Sequence, residues 1–265
     1  MKTLCKDLTE EYDALDDMVS ILDHDEWMKP TPFFGWTLKE EISHLAYFDR
    51  AARISISSKD LFEAHMNEML KHASTYDEIF DYANSEGMAM DDQDLLAWWR
   101  RERHDLIIAY VALEPSQKLS WYGPPMSARS SATARLMETW AHGQDIADAL
   151  SIKRKGTPRL KHIVHLGFST FAWSFINRNL PVPEKNAALI LEGPTGEIWT
   201  YGETESENTV RGSAFDFCLV VTQRRHVNDT ALIVEGDAAT NWMNIAQAFA
   251  GPPEDPPSPG LRVIR

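Results

Sequence analysis

The chain has 265 residues, 43% of them hydrophobic, which suits one large domain or two ordinary domains with a buried core. Its 26 basic and 40 acidic residues give a net charge of -14, which argues against a nucleic-acid or membrane-surface partner, because both need a cationic patch. Cys5 and Cys218 form no disulfide framework, and no apolar run resembles a signal peptide or a membrane span. These features predict a cytoplasmic protein.

The first two thirds of the chain has the periodicity of helices. Apolar residues recur every three or four positions at the start, which predicts an amphipathic helix with its buried face formed by Leu4, Leu8, Tyr12, Leu15, Val19 and Leu22. A loop from Lys29 to Trp36 ends this region. Thr37 and Glu40 then have the spacing of a capping box, which predicts a second helix through about Ser57. This second helix carries His44.

Further helices follow up to about Asn177. The patterns predict one or two helices over Lys59–Glu86, a helix capped by Asp91 or Asp92, a loop over Ser116–Pro125, a helix over Ser127–Leu150, a turn over Lys153–Pro158 and a last long helix over Leu160–Asn177. The helix over Ser127–Leu150 carries Glu138 and His142.

The pattern changes after Leu180-Pro181-Val182-Pro183. We predict a hairpin of Ala187–Leu191 and Ile198–Tyr201, a strand at Thr209–Arg211, a helix capped by Ser213 and ending near Thr222, a strand at Ala231–Val234 and a helix capped by Asp237 and ending near Phe249. The sequence therefore predicts an α+β protein, with a helical domain over residues 1–178 and a small α+β domain over residues 179–265.

Glu138 and His142 lie four residues apart, so their side chains stack on one helix face. On a helical wheel, Asp145 lies near them, and the neighbouring positions are mostly alanines, which leave room for an ion. Such E-x3-H pairs are common on solvated helix surfaces, and the spacing alone does not exclude this interpretation. With His44 from another helix, the pair could instead form a His-Glu-His metal site. These ligand types suit zinc, nickel or iron.

Three segments carry a family resemblance: EEISHLAYFDR around His44, LMETWAHGQDIADAL around Glu138 and His142, and SAFDFCLVVTQRRHVNDTALIVEGDAATNWMNIAQAFAG. Together they resemble the mycothiol-dependent maleylpyruvate isomerases of the DinB/YfiT-like superfamily, and the whole chain is most similar to an uncharacterised metal-binding branch. The resemblance implies a DinB-like four-helix bundle over residues 1–178, followed by the small C-terminal domain of that family.

The resemblance also implies site residues and cofactors. His44, Glu138 and His142 would be the metal ligands, with zinc the first choice of metal and nickel or iron the alternatives. The C-terminal domain of the family contributes an arginine to the active site, and Arg224 and Arg225 are the matching residues here. Both could instead be exposed charges at the C-terminal end of a helix. A low-molecular-weight thiol would be the second cofactor.

Two further features bear on this site. Asp145, one turn after His142, could accept a hydrogen bond from a ligand imidazole or could be an ordinary solvated charge. The aromatic loop with Trp121 and Tyr122 precedes the ligand helix and could line the mouth of a pocket or pack in the core.

Three functions fit these features. The first is a thiol-dependent isomerase or transferase, in which a metal-activated thiolate adds to a small unsaturated acid or similar electrophile. The second is a hydrolase or lyase that uses metal-bound water, and the third is a non-catalytic protein that binds a metal and a ligand. In each case we expect a small-molecule ligand, in the first an organic acid, and a monomer or homodimer.

Overall fold

The helices predicted for the first part of the chain are present in the computed structural model, which describes residues 1–262. The chain divides into two compact units, the first of which is Met1–Leu150. Its elements are α1 (Lys2–Val19), α2 (His24–Trp27), α3 (Leu38–Ser57), α4 (Lys59–Leu70), α5 (Tyr76–Met88), α6 (Asp92–Val111), β1 (Lys118–Leu119), β2 (Met126–Ser127) and α7 (Ala128–Ala149). The short α2 has no counterpart among the predicted helices, although Asp23 and Glu26 form a capping box at its start.

The four long helices of this unit form its core. Helix α1 packs against α6 and α7, and α3 packs against the same two helices. The predicted apolar face of α1 is buried from Leu4 to Val19, and Trp99 of α6 and Leu45 of α3 are fully buried between the helices. The helices therefore enclose the inward faces of α3 and α7, which carry His44, Glu138 and His142.

A glycine sets the distance between α5 and α3. A Cβ atom at Gly87 of α5 would lie 2.3 Å from Oγ of Ser43 and 2.9 Å from Cδ1 of Leu95. Glycine inside a helix costs roughly 1 kcal/mol relative to alanine. Here it allows close contact between the two helices, next to the position of His44.

The second unit begins at Ser151 and combines helices with one sheet. Its elements are α8 (Leu160–Ser169), α9 (Phe171–Ile176), β3 (Ala188–Glu192), β4 (Ile198–Tyr201), β5 (Thr209–Ser213), α10 (Ala214–Val221), β6 (Ile233–Glu235) and α11 (Asp237–Met243). The strand order is β4-β3-β5-β6. Strand β3 pairs antiparallel with β4 and parallel with β5, and β5 pairs antiparallel with β6. The predicted hairpin and the α+β class are confirmed.

Helices α8 and α9 belong to the second unit, whereas the sequence placed the domain boundary at residues 178 and 179. The reason is the packing of these two helices. Gly167 of α8 faces Phe217 and Val221 of α10, and the ring of Phe171 in α9 lies 5.0 Å from that of Trp242 in α11. The apolar faces of α8 and α9 are thus buried by α10 and α11.

The last long helix of the sequence prediction is two helices. Thr170 separates α8 from α9, and its hydroxyl lies 3.0 Å from the carbonyl oxygens of Leu166 and Gly167. Such bonding back to the preceding turn competes with helical hydrogen bonds and bends helices. The prediction of one continuous helix over Leu160–Asn177 was therefore wrong.

Helix α11 also differs from its prediction at both ends. Gly236, with a φ of 83°, precedes the helix, and Asp237 is its first residue rather than its cap. The helix ends at Met243 instead of Phe249, because the amide of Gln247 donates to Ser174 Oγ and that of Ala248 donates to the carbonyl of Val221. Among the residues that the structure describes, no helix is long and apolar enough to cross a membrane.

Candidate metal centre

The capping box at the start of α3 sets the orientation of that helix. Thr37 Oγ1 accepts a hydrogen bond from the amide of Glu40, and the Glu40 carboxylate accepts one from the amide of Thr37 at 2.6 Å. Glu40 is thus occupied at the helix end, as the sequence predicted. Glu41 and His44 both turn inward, and their exposed fractions are 0% and 7%.

Helix α7 supplies the other two predicted ligands. Ser127 caps the helix by accepting from the amide of Ser130. Glu138 and His142 lie one turn apart, with Glu138 Oε2 3.2 Å from His142 Nε2. His142 is buried, whereas 26% of the Glu138 side chain is exposed. The pair is therefore not the solvated surface pair that the spacing alone allowed.

The structure brings the three predicted ligands together. The imidazole centroids of His44 and His142 are 4.7 Å apart. One ligand atom from each of His44, Glu138 and His142 lies within 4.8 Å of the others. Helices α3 and α7 thus form a group of two imidazoles and one carboxylate. The role of these residues as metal ligands remains a prediction.

The electrostatics of the group keep Glu138 ionised. Burial alone would raise the pKa of Glu138, but the hydrogen bond and charge of His142, with further contributions from Arg135 and His44, lower this pKa to about 2. A carboxylate that remains charged at neutral pH is the form that binds a cation.

The donor set fits a divalent metal. Zinc bonds to histidine nitrogen and to carboxylate oxygen are about 2.0–2.2 Å long. The three donor atoms lie within 4.8 Å of one another, so side-chain rotation would be needed to bring all three onto one ion. Two imidazoles and one carboxylate suit zinc, nickel or iron. Three protein ligands leave a coordination position for another molecule, which is the arrangement of catalytic rather than structural zinc sites.

Glu41 is a site residue that the sequence did not identify. Its Oε2 accepts a hydrogen bond from His142 Nδ1, and its Oε1 accepts one from the hydroxyl of Thr31 at 2.8 Å. Burial raises the pKa of Glu41, and His142 partly offsets this rise. The available signal was its position three residues before His44, on the inward side of the same helix.

Asp145 lies in this part of the site as well. It is fully buried, and one of its carboxylate oxygens lies within 4.8 Å of ligand atoms of Glu41 and His142. The sequence proposed Asp145 as an acceptor for a ligand imidazole, but the acceptor at His142 Nδ1 is Glu41 Oε2. The role of Asp145 in orienting a ligand remains a prediction.

Aromatic rings surround the two histidines. The ring centroid of Trp36 lies 5.2 Å from that of His44. The Trp36 ring also stacks on the imidazole of His142, with the two centroids 6.2 Å apart. Phe33 meets His142 edge to face at 5.4 Å. Phe48 and Phe80 approach His44 at 4.6 and 5.8 Å. These rings give the site apolar walls.

The aromatic loop before α7 contributes indirectly. The rings of Trp121 and Tyr122 lie 6.4 and 5.8 Å from that of Phe48, which in turn contacts His44. They also contact Phe62 of α4. The loop therefore supports the Phe48 side of the wall.

Arg224 and Arg225 belong to the second unit and follow α10. Both are buried, with exposed fractions of 3% and 4%. Nη1 of Arg224 donates to the carbonyl of Thr222, and Nη1 of Arg225 donates to that of Arg224. They are therefore not the exposed helix-end charges that the sequence also allowed, and their catalytic role remains a prediction.

Fold and site together define a class: a helical unit with a His-Glu-His group, followed by a small α+β unit. The family described as the mycothiol maleylpyruvate isomerase N-terminal domain matches residues 8–147. The chain belongs to this family, and the predicted resemblance is confirmed.

Two similar relatives are uncharacterized proteins of Mycobacterium tuberculosis, from two strains. Each is 44% identical over 248 residues, which is 93% of this chain and 95% of the relative. Among solved structures, the fold is similar to that of a mycothiol-dependent maleylpyruvate isomerase and of a mutant of it. The TM-scores are 0.55 and 0.56, the identities 15% and 14%, and the matches cover 83% of this chain and 87% of each solved chain.

Proposed function

We propose that this protein is a metal-dependent enzyme that uses a low-molecular-weight thiol to isomerise or modify a small unsaturated organic acid. The observation that carries the proposal is the convergence of His44, Glu138 and His142 in a member of a family named for mycothiol and maleylpyruvate. We also propose that the protein acts in the cytoplasm as a monomer or homodimer, without nucleic-acid or membrane partners.

His44, Glu138 and His142 would hold the metal. When bound there, a divalent ion would supply the positive charge that lowers the pKa of a coordinating thiol. Phe33, Trp36, Phe48 and Phe80 would place apolar surface beside the nucleophile. Electrostatic interactions are stronger beside apolar surface than in bulk water.

The proposed isomerisation has two steps and consumes no reagent. The thiolate sulfur would form a bond to one carbon of the double bond, and the electron pair would move onto the conjugated carbonyl group. The former double bond would then be single and free to rotate. Return of the electron pair would expel the thiolate and restore the double bond in the other geometry. In this proposal Arg224 or Arg225 holds the substrate carboxylate through paired hydrogen bonds.

The test combines elemental analysis with turnover. Wild type should contain about one divalent ion per chain, and His44→Ala, Glu138→Ala and His142→Ala should lose it, because each removes a ligand. Turnover of maleylpyruvate in the presence of mycothiol should disappear in the same variants. His104→Ala, at an exposed histidine, is the matched control and should retain both properties.

The outcomes separate the three candidate functions. Full turnover by a metal-free variant would overturn the proposal. Turnover of a substrate without any thiol would favour a hydrolase or lyase that uses metal-bound water. Binding of metal and ligand without turnover in the presence of any thiol would select a binding protein.

A further inference from the structure

Resting on the proposed metal site, we propose that Glu41 is a positioning residue, which fixes the ring of His142 and its tautomer, and that Thr31 couples this arrangement to the aromatic wall. The proposal concerns how the site is preorganised. It assigns Glu41 no contact with substrate.

The geometry around Glu41 uses both carboxylate oxygens. Oε2 accepts from His142 Nδ1, and Oε1 accepts from Thr31 Oγ1 at 2.8 Å. All three side chains are buried, so water does not compete for these hydrogen bonds. A carboxylate held at both oxygens presents a fixed acceptor to the imidazole ring.

This hydrogen bond determines which nitrogen of His142 can bind a metal. With Nδ1 donating to Glu41, loss of the Nε2 hydrogen on metal binding would leave the lone pair at Nε2. Nε2 is the nitrogen that lies 3.2 Å from Glu138 Oε2, on the side of the other proposed ligands. Carboxylates that orient ligand histidines in this way also raise the basicity of the imidazole.

Thr31 extends the arrangement to the loop before α3. Its hydroxyl oxygen accepts from the amide of Phe33 at 3.2 Å, and its own amide donates to the carbonyl of Trp36 at 2.6 Å. Phe33 and Trp36 are the two loop residues whose rings contact His142. One threonine thus connects the support of the imidazole to the wall that covers it.

Donor chemistry alone would also allow Glu41 a second role. Ligand atoms of Glu41, His142 and Asp145 lie within 4.8 Å of one another, which is also a metal-ligand spacing. Two ligands of one tetrahedral ion with bonds of about 2.0–2.2 Å are roughly 3.4 Å apart. Glu138 Oε2 and His142 Nε2, at 3.2 Å, are near this separation, whereas Glu41 Oε2 and His142 Nδ1 are much closer together. The geometry therefore favours orientation of His142 over a second metal.

The experiment measures zinc affinity by chelator competition in wild type, Glu41→Ala, Glu41→Gln, Thr31→Val and Glu40→Gln. The last variant is the matched control, because it neutralises the adjacent carboxylate while glutamine still serves the capping box. Nitrogen-15 NMR of the zinc-loaded proteins reports the tautomer of His142 independently of activity. Circular dichroism confirms that each variant folds.

We expect Glu41→Ala to weaken zinc binding by about 10–100-fold, the usual effect of removing a carboxylate behind a ligand histidine. Glu41→Gln should lose less zinc affinity, because its amide oxygen still accepts a hydrogen bond from His142 Nδ1. This variant also tests the proposal if Glu41→Ala does not fold. Thr31→Val should have a smaller effect than Glu41→Ala, and Glu40→Gln should match wild type. The His142 Nδ1 proton should be protected from exchange in wild type and exchange faster in Glu41→Ala.

Three results would overturn the proposal, and they differ in meaning. Wild-type affinity and tautomer in both Glu41 variants would remove the positioning role alone. Loss of one of two bound ions in Glu41→Ala would make Glu41 a ligand of a second metal. A wild-type protein that binds no zinc, nickel or iron would overturn the metal site and this inference together.

Discussion

Helices α3 and α7 carry two buried polar clusters that differ in charge. In the first, Asp49 Oδ1 accepts from Arg135 Nε at 2.8 Å and from the hydroxyl of Tyr12 at 2.7 Å. One anion faces one cation, so this cluster is neutral without any ligand. All three residues are at most 4% exposed.

The second cluster lies further along both helices. Glu41 and Glu138 are its carboxylates, and His44 and His142 face them with imidazoles rather than a permanent cation. When both carboxylates are ionised and both imidazoles are neutral, these four side chains carry two negative charges, which a divalent cation would balance. The comparison shows that a buried carboxylate paired with an arginine links two helices through an ion pair. Carboxylates beside histidines are instead suited to hold an ion.

The largest expected effect concerns the neutral cluster. Asp49→Ala leaves the Arg135 charge buried without its partner, and we expect the free energy of unfolding to fall by about 3–5 kcal/mol. Urea denaturation of the metal-free protein measures this change. Asp105→Ala, at an exposed aspartate, is the control and should stay close to wild type. A loss below about 1 kcal/mol for Asp49→Ala would show that the cluster does not fasten the helices.

The next effect separates the clusters by their response to metal. Zinc at about 100 times its dissociation constant should stabilise wild type by about 2.7 kcal/mol, because it binds the folded state. His142→Ala should lose this increment, and Asp49→Ala should retain it. Thermal or urea unfolding with and without zinc gives the increments. Equal zinc stabilisation of wild type and His142→Ala would contradict the assignment of the second cluster.

The pH dependence of stability tests Glu138. Its pKa in the folded protein is about 2, below the ordinary value of 4.5. The ionised Glu138 carboxylate therefore contributes its full stabilisation of the folded state above pH 4.5, and this contribution is lost as the pH falls toward 2. After allowance for partial exposure, we expect about 2 kcal/mol. Urea unfolding of metal-free wild type and Glu138→Gln at several pH values measures this contribution. A difference in unfolding free energy between the two proteins that does not shrink in acid would refute the prediction.

The smallest effect concerns the helix that both clusters share. Thr37→Ala removes the cap of α3 and should cost about 1 kcal/mol of stability. Because the cap contacts neither cluster, zinc affinity measured by chelator competition should not change. Thr37→Ser preserves the capping hydroxyl and should be nearly neutral. A marked fall in zinc affinity in Thr37→Ala alone would show that the cap also positions His44.

The sequence predicted the parts of the site that depend on local signals. The capping box at Thr37 fixed the start of α3, and the four-residue step between Glu138 and His142 fixed their common face. The order of these residues along the chain supplied the family resemblance. These signals suffice to predict where a helix begins and which side chains share a face, because both depend on residues within a few helical turns.

The remaining features depend on packing between distant segments. Glu40 and Glu41 are adjacent carboxylates, and only the docking of α3 on α7 makes one a cap and the other the partner of His142. Likewise, the apolar faces of α8 and α9 were compatible with either domain. Their packing against α10 and α11 decides the unit to which they belong.

Gly87 is a position at which a single substitution could change the aromatic wall of the site. Phe80 lies two turns before it on α5, where its ring contacts those of Trp36 and His44. A methyl group at position 87 would collide with Ser43 and Leu95 and push α5 outward. Phe80 would move with the helix, so Gly87→Ala should shift the Phe80 ring away from His44 while every proposed ligand is retained. The aromatic wall could thus be altered from a residue outside the proposed ligand set.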